Sequence, residues 1–211
     1  MSVNLAALEI PTGEIVTDQA VLNEYRLNPY TQEESAEGWP IAIVFAESVD
    51  DVQATLRFAT EHGIPVVTQG ARTSIANGSS GIDDSILLNL SRLNRILKLE
   101  PENQLAVVEP GVLNGDLDRA AREQGFFYAP DPGSKPISTI GGNIATNAGG
   151  MATLKYGTTR ENVLGMKVVL ADGRLLEVGG TPFKNNAGYD LTDLFIGSEG
   201  TLGVVVEATV R

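Results

Sequence analysis

The sequence has no cysteine and a single histidine, His62. Without thiols, the chain by itself supports no disulfide framework, no thiolate nucleophile, no Cys-ligated zinc and no iron–sulfur cluster. A Ser-His-Asp triad would have to be built on His62, and a multi-His metal centre is excluded. No residue is singled out from these counts as a metal ligand or as a catalytic acid or base, and the chemistry left to the chain is that of backbone, carboxylates, hydroxyls or a cofactor. Basic residues are also scarce: 15 Lys and Arg stand against 27 Asp and Glu, a net charge of −12. That balance argues against nucleic acid and anionic membranes as partners, since both need a basic face. No stretch approaches the ~18 consecutive apolar residues of a membrane span. Residues Met1 to Glu14 carry no positive region ahead of their apolar residues, so they do not read as a secretory leader and a cytoplasmic location is expected. Two common nucleotide devices are missing as well. No Gly-x-Gly-x-x-Gly occurs, and no Gly-Lys dipeptide, so there is neither a standard Rossmann fingerprint nor a Walker A loop.

What remains is 211 residues with 42% hydrophobic and 20% charged content, an ordinary globular composition with enough chain for a real core. Charge and glycine are unevenly placed. Residues 1–62 hold eleven acids and two bases, whereas residues 63–211 hold sixteen acids and thirteen bases. Eight glycines lie in residues 1–124 and fifteen in residues 125–211. Any site for an anion is thus expected beyond residue 62.

Hydrophobic periodicity gives the elements. Residues 18–26 read as a short helix with Val21, Leu22 and Tyr25 on one face, followed by a polar, acidic stretch over 28–38. Ile41 to Phe45 reads as a buried strand. Ser48 is an N-cap with Asp50 and Asp51 in the first turn, and Val49, Val52, Leu56 and Ala59 form an amphipathic stripe that ends at Gly63. Ile64 to Val67 is the next strand, and strand–helix–strand at this spacing predicts a parallel βαβ unit. Ile86 to Leu90 and Leu105 to Val108 are further strands, and Leu113 to Gln124 is a helix closed by Gly125. Val163 to Leu170 and Leu175 to Val178 flank an Asp172-Gly173 turn and predict a hairpin. Asp190 to Ile196 is a short helix and Gly203 to Val210 a last strand. The fold class is α+β, a small parallel α/β part ahead of a larger antiparallel part, with a ligand expected between the two layers.

Five segments carry the chemistry. In Thr68-Gln69-Gly70-Ala71-Arg72-Thr73-Ser74, continuing through Asn77 and Gly78, a strand runs into a loop of small residues and hydroxyls. Such a loop can turn successive N–H groups inward as an anion nest, and Arg72 adds a charge able to pair with a phosphate. A plain surface turn is the competing reading of this loop alone. The second segment runs from Pro130-Asp131-Pro132-Gly133-Ser134 through Ser138-Thr139-Ile140-Gly141-Gly142-Asn143 to Asn147 and Gly149-Gly150. It has nothing bulky to fill a core, while Ile140, Ile144 and Ala148 at helical spacing mark an ordered element. The remaining three are Lys155-Tyr156-Gly157, Asn186-Ala187-Gly188-Tyr189-Asp190-Leu191, and Gly197-Ser198-Glu199-Gly200-Thr201-Leu202-Gly203-Val204-Val205. The last leads bare backbone into an apolar strand, suited to the edge of a purine. Other residues have structural readings. His62 favours the dipole at a helix C-terminus. Trp39 before Pro40 is a packing anchor. Glu33-Glu34, Asp50-Asp51 and Asp83-Asp84 are solvated. Asp116 and Asp118, two apart, do not share a helix face.

In this order the segments resemble the FAD-binding domain of the vanillyl-alcohol oxidase and p-cresol methylhydroxylase (PCMH) flavoproteins. Within that family they are similar to the FAD-linked D-2-hydroxyacid dehydrogenases, such as glycolate oxidase flavoprotein subunits and D-lactate dehydrogenases. The resemblance runs from about Pro40 to Arg211. It implies a PCMH-type FAD-binding domain over 38–211, with subdomains of about 38–100 and 101–211, preceded by an N-terminal helix and acidic segment over 1–37. It implies FAD pyrophosphate at Thr68, Gln69, Gly70, Ala71, Arg72, Thr73 and Ser74, with Asn77 and Gly78 beyond. It implies ribityl and flavin contacts at Pro130, Asp131, Ser134, Ser138, Thr139, Gly141, Gly142, Asn143, Asn147 and Gly150, with Gly149 and Tyr156 as further cofactor-binding residues. The adenosine end falls to Glu199, Gly200, Thr201, Gly203, Val204 and Val205.

The chain departs from the family pattern in two respects. Gln69-Gly70-Ala71-Arg72 stands where the family often has Arg-Gly-Gly-Gly, which puts the tightness of that loop in question. Thr73 stands where some members attach FAD through a His, so non-covalent FAD is expected. The family also continues into a cap domain that supplies the substrate face and the acid/base groups. The resemblance therefore implies a chain that holds FAD and would act on a small 2-hydroxy acid by hydride transfer to flavin N5 only together with that cap, with a subunit that accepts electrons or carries an iron–sulfur cluster as a further expected partner. Two alternatives stay open: a stand-alone flavin-binding or electron-transfer module working with a partner chain, and an enolpyruvyl-sugar reductase-like member of the same fold.

Overall fold

The computed structural model of the chain describes residues 4–30, 38–182 and 188–211. Its first layer is a four-stranded sheet of β1 (Glu14–Val16), β2 (Ala42–Phe45), β3 (Val66–Gln69) and β4 (Ile86–Asn89), in the order β1-β2-β4-β3. β4 runs parallel to both β2 and β3, and β1 pairs antiparallel with β2. Side chains alternate along a strand. Ile43 and Phe45 of β2 therefore face one side, where Leu22 of α1 (Gln19–Arg26) joins their cluster. Val44 faces the other, where Val52, Leu56 and Ala59 of α2 (Val49–His62) pack.

Helix α2 forms as its sequence dictates. Ser48 and Asp51 make a reciprocal capping box, and Gly63 closes the helix in the left-handed conformation at φ 64°. The expectation that Asp51 is solvated is corrected. It is fully buried and accepts hydrogen bonds from the N–H groups of Thr12, Glu47 and Ser48 and from the Thr12 hydroxyl. Burial alone would raise its pKa, but these hydrogen bonds together hold it below the usual carboxylate value. Trp39 is likewise not a core anchor. It is 45% exposed, with the Arg26 guanidinium lying 4.3 Å over its ring.

The strand after α2 starts later than its apolar run suggests. Ile64 N–H still bonds back to Ala59 O, and Pro65 has no N–H to give a ladder, so β3 begins at Val66 and carries on through Gln69. β2 and β3 are the expected parallel strands, but β4 lies between them.

The second layer is a five-stranded antiparallel sheet of β5 (Ile96–Glu100), β6 (Leu105–Val108), β7 (Val163–Val169), β8 (Leu175–Gly179) and β9 (Val204–Val210), in the order β5-β6-β9-β7-β8. β7 and β8 form the expected hairpin around Asp172-Gly173. The sheets divide between Asn89 and Ile96, slightly ahead of the boundary expected near residue 100. β5 escaped the sequence reading because its Ile-Leu-Lys-Leu-Glu run is only half buried. The helices of this half are α3 (Asn114–Glu123), α4 (Ile140–Thr146), α5 (Thr153–Tyr156), α6 (Thr159–Asn162) and α7 (Thr192–Phe195).

Strand β9 ties the halves together. Its even-numbered side chains are all buried: Val204 and Val206 enter the core shared with α2 and the first sheet, while Ala208 and Val210 enter the core under α3 and α4. The fold is thus the expected α+β arrangement of a small, mainly parallel sheet packed on a larger antiparallel one. Among the described residues no helix is long and apolar enough to cross a membrane.

Candidate functional site

Where the carboxyl end of β3 reaches the second half of the chain, a cleft of about 490 Å³ opens between the two layers. Open α/β sheets commonly bind ligands outside the carboxyl ends of their strands. Three walls form it: the loop over 70–79 that leaves β3, helix α4 with the turn after it, and the turn over 198–205 that enters β9.

The first wall is backbone. The N–H groups of residues 71–75 donate to no acceptor among the described residues. Arg72 sits at φ 56° and Asn77 at φ 57°, so the chain reverses its peptide direction within this loop. Left-handed residues interleaved with ordinary ones turn successive N–H groups to one side, a geometry that receives anionic oxygens.

Arg72 lines the cleft, and its guanidinium is also held by α1. Its Nη1 donates to the carbonyls of Glu24 at 2.8 Å and Leu27 at 3.0 Å, and the guanidinium lies 4.3 Å over the Tyr25 ring. Burial against α1 lowers its pKa from the ordinary arginine value, and the neighbouring charges of Tyr25, Glu24 and Tyr30 oppose that shift.

Helix α4 makes the second wall. Thr139 is its N-cap, accepting from Gly142 N–H at 3.2 Å. The Gly-Gly pair has two separate uses. A Cβ on Gly141 would run into Pro110, so this glycine allows α4 to pack closely. A Cβ on Gly142 would meet only the Thr139 hydroxyl, at 3.1 Å, so its other side is open and the backbone there is bare to the cleft. Asn143 is nearly buried, and its Oδ1 accepts from Asn114 Nδ2 at 2.8 Å. Its own amide nitrogen has no acceptor among the described residues, and Asn143 is one of the residues that line the cleft.

The third wall is the turn before β9. Glu199 has φ 52° and is held by its N–H on Ala145 O at 2.8 Å. A Cβ on Gly78 would stand 2.7 Å from Glu199 Oε2, so the carboxylate reaches across to the first loop. Among the described residues lining the cleft, Arg72 is the one base and Glu199 the one acid. Arg160 supports this wall from behind. Its Nη1 and Nη2 donate to the carbonyls of Asp193 and Ile196, both at 2.7 Å, pinning the end of α7.

The structure therefore brings together Thr68, Gly70, Ala71, Arg72, Thr73, Ser74, Gly78, Ser134, Thr139, Gly141, Gly142, Asn143, Gly149, Glu199, Gly200, Gly203, Val204 and Val205 as lining of one cleft. Other expected residues stand behind it as supports. Gln69 is buried and donates through Nε2 to the carbonyls of Tyr25 and Ser79. Asn77 accepts from Asn28 Nδ2, and Pro130 O accepts from Asn114 Nδ2. Asp131 Oδ1 accepts from Ala152 N–H, and Gly150 is a glycine because a Cβ there would overlap Asp131. Ser138 is buried, with its carbonyl accepting from Asn114 N–H. Asn147 Oδ1 accepts from the Thr158 hydroxyl and Arg160 N–H, and Thr201 closes its own turn onto Ser198 O.

Tyr156 lies elsewhere, edge-on to Phe127 in a second hollow of about 230 Å³. Asn186 and Ala187 fall outside the described residues. Beyond the expected residues the lining also includes Ile75, Ser79, Leu90, Pro110, Pro132, Ala145, Thr146, Ala148, Phe195 and Ser198. Most of them lie in or beside the motifs, whereas Leu90 and Pro110 are brought to the cleft by the fold alone.

A wall of N–H donors, hydroxyls of Thr68, Thr73 and Ser134, bare glycine backbone and one carboxylate fits a ligand with an anionic middle and neutral ends better than it fits a small dianion. Comparison with known proteins agrees. A family profile described as "FAD binding domain" matches residues 40–179. The chain belongs to that FAD-binding family. Over 172 residues it is 45% identical to the glycolate oxidase subunit GlcD of Bacillus subtilis, covering 82% of this chain and 37% of the relative. Over 201 residues it is 40% identical to a D-lactate dehydrogenase of Anaerostipes hadrus, covering 94% of this chain and 42% of the relative. Among solved structures, p-cresol methylhydroxylase with substrate bound superposes with a TM-score of 0.75 at 26% identity, over 93% of this chain and 39% of that one. The fold is the PCMH-type FAD-binding fold. The chain spans about two fifths of the length of the curated relatives it matches.

Proposed function

We propose that this chain is the FAD-holding part of an oxidoreductase that oxidises a D-2-hydroxy acid of the glycolate or D-lactate type. The observation that carries the reading is the run of N–H groups over 71–75, without acceptors among the described residues, in a loop that lines one cleft together with Gly142 and Asn143. Bound there, FAD would supply the redox chemistry by taking a hydride at N5. The chain's own residues bind and orient. The 71–75 amides hold the diphosphate, the Asn143 amide donates to the ring system, and Glu199 accepts from hydroxyls at the nucleoside end. FAD is held non-covalently in this reading. The chain has no cysteine, and His62 is stacked on Phe58 of α2 with its Nδ1 2.9 Å from Phe58 O, away from the cleft.

One observation favours a second reading, a flavin-binding module that turns over substrate only with partner groups. Among the described lining residues Glu199 is the one carboxylate and no lysine or histidine is present, so a proton acceptor for substrate must come from elsewhere. A single experiment separates the two. The FAD-loaded chain is mixed anaerobically with D-lactate, glycolate or D-2-hydroxyglutarate while the 450 nm flavin band is followed. No bleaching by the chain alone, with bleaching on adding the remaining length of a relative, supports both FAD binding and the need for further groups. Bleaching by the chain alone would show that the acid/base groups lie within it. Flavin that stays with acid-precipitated protein would contradict non-covalent binding.

A further inference from the structure

We propose that Arg72 is a positioning residue for the anion-binding loop. Anchored on the C-terminal end of α1, it aims the 71–75 N–H groups into the cleft and makes no charge pair with the ligand. The proposal rests on the FAD reading above and deepens it.

Three parts of the chain around the loop meet residues 24–28, the C-terminal end of α1 and the two residues after it. At its start, Gln69 Nε2 donates to Tyr25 O at 2.8 Å. At its centre, Arg72 Nη1 bridges the carbonyls of Glu24 and Leu27, with the guanidinium over the Tyr25 ring. Towards its end, Asn28 Nδ2 donates to Ser74 O and to Asn77 Oδ1. The last carbonyls of a helix lack intrahelical partners, and Arg72 and Gln69 satisfy two of them in α1, those of Glu24 and Tyr25, and that of the C-cap Leu27. The helix end gains donors and the loop gains a fixed base.

The backbone at Arg72 supplies the second argument. A non-glycine residue at φ 56° holds a conformation that L side chains disfavour. In this loop that conformation directs the peptides toward the cleft. With its side chain tied to α1, Arg72 is held there, where a glycine would be free to leave. A loop preordered in this way loses less conformational freedom when it closes on a diphosphate. The affinity for the ligand therefore depends on α1, an element that lines no part of the cleft.

The test uses the 211-residue chain as wild type, Arg72→Met and Arg72→Lys. FAD affinity is titrated by quenching of flavin fluorescence at several salt concentrations, and hydrogen exchange of α1 is followed without FAD. Arg72→Lys keeps charge and length, so it serves if Arg72→Met folds poorly. Both variants are expected to bind FAD about tenfold more weakly, with the wild-type salt slope and with faster exchange in α1. Lysine does not rescue, because one ammonium cannot both fork across two carbonyls and stack on Tyr25. Wild-type affinity in Arg72→Lys with a shallower salt slope in Arg72→Met would mean that the charge meets the phosphates, and would overturn the proposal. Unchanged affinity in both variants would overturn it too. A wild-type chain that binds no FAD overturns the FAD reading instead. The exchange data then decide the clamp by themselves, and unchanged α1 exchange in Arg72→Met overturns it.

Discussion

Gly70 and Thr139 touch across the two layers: a Cβ on Gly70 would overlap the Thr139 hydroxyl, the oxygen that caps α4 by accepting from Gly142 N–H. The end of the first sheet and the start of the α4 wall are thus set against each other with no room for a methyl group. The width of the cleft at this point depends on that contact.

Gly70→Ala is expected to push Thr139 off its capping position and destabilise the fold by about 1–3 kcal/mol, with weaker FAD binding in parallel. Thr139→Ala alone loses the cap, about 1 kcal/mol. The double variant is expected to lose less than the sum, because removing the hydroxyl relieves the overlap. Urea unfolding of the four proteins checks this, and strict additivity would contradict the contact.

The buried carboxylate of Asp51 joins the start of α2 to the Thr12 segment by four hydrogen bonds. Asp51→Ala leaves buried N–H groups without partners and is expected to destabilise by about 1–3 kcal/mol. The pH dependence has a definite sign. The pKa is lowered in the folded state, so the contribution is fully present above the unfolded value near 3.9 and is lost as pH falls through the folded value. Asp51→Asn is therefore expected to flatten the fall in melting temperature between about pH 5 and pH 2 relative to wild type. Thermal melts across that range measure it, and parallel profiles would refute the assignment.

Tyr128 presents the opposite case. Its ring is buried, its hydroxyl has no hydrogen-bond partner among the described residues, and burial pushes its pKa well above the ordinary tyrosine value. Tyr128→Phe removes a polar atom that gains nothing in the folded state, and is expected to leave stability within about 0.5 kcal/mol or to raise it. Because the folded state resists ionisation, the wild type loses stability as pH rises beyond the unfolded value near 10, and Tyr128→Phe loses less. Thermal melting at neutral and alkaline pH decides it, and a loss above about 2 kcal/mol would reveal a partner for the hydroxyl.

The expected walls of the cleft were legible because their residue types have few other uses. Gly141-Gly142-Asn143 and the hydroxyl-rich run after β3 offer nothing to a core, and the hydrophobic periodicity of α2, β7 and β8 needed no tertiary context. The rest depended on contacts distant in sequence. Asp51 looked like an ordinary first-turn acid until Thr12, thirty-nine residues away, covered it. The attachment of Arg72 to α1 was not legible because it crosses more than forty residues. β1 and β5 are short or half exposed, and pairing rather than composition makes them strands.

The central claim is that the cleft takes the dinucleotide through its diphosphate, which FMN lacks. Equilibrium titration of the apo chain with FAD and with FMN tests this most directly. The expected result is one FAD per chain, retained through desalting, with FMN at least about tenfold weaker. Equal affinity for the two flavins, or no retention of either, would contradict the account.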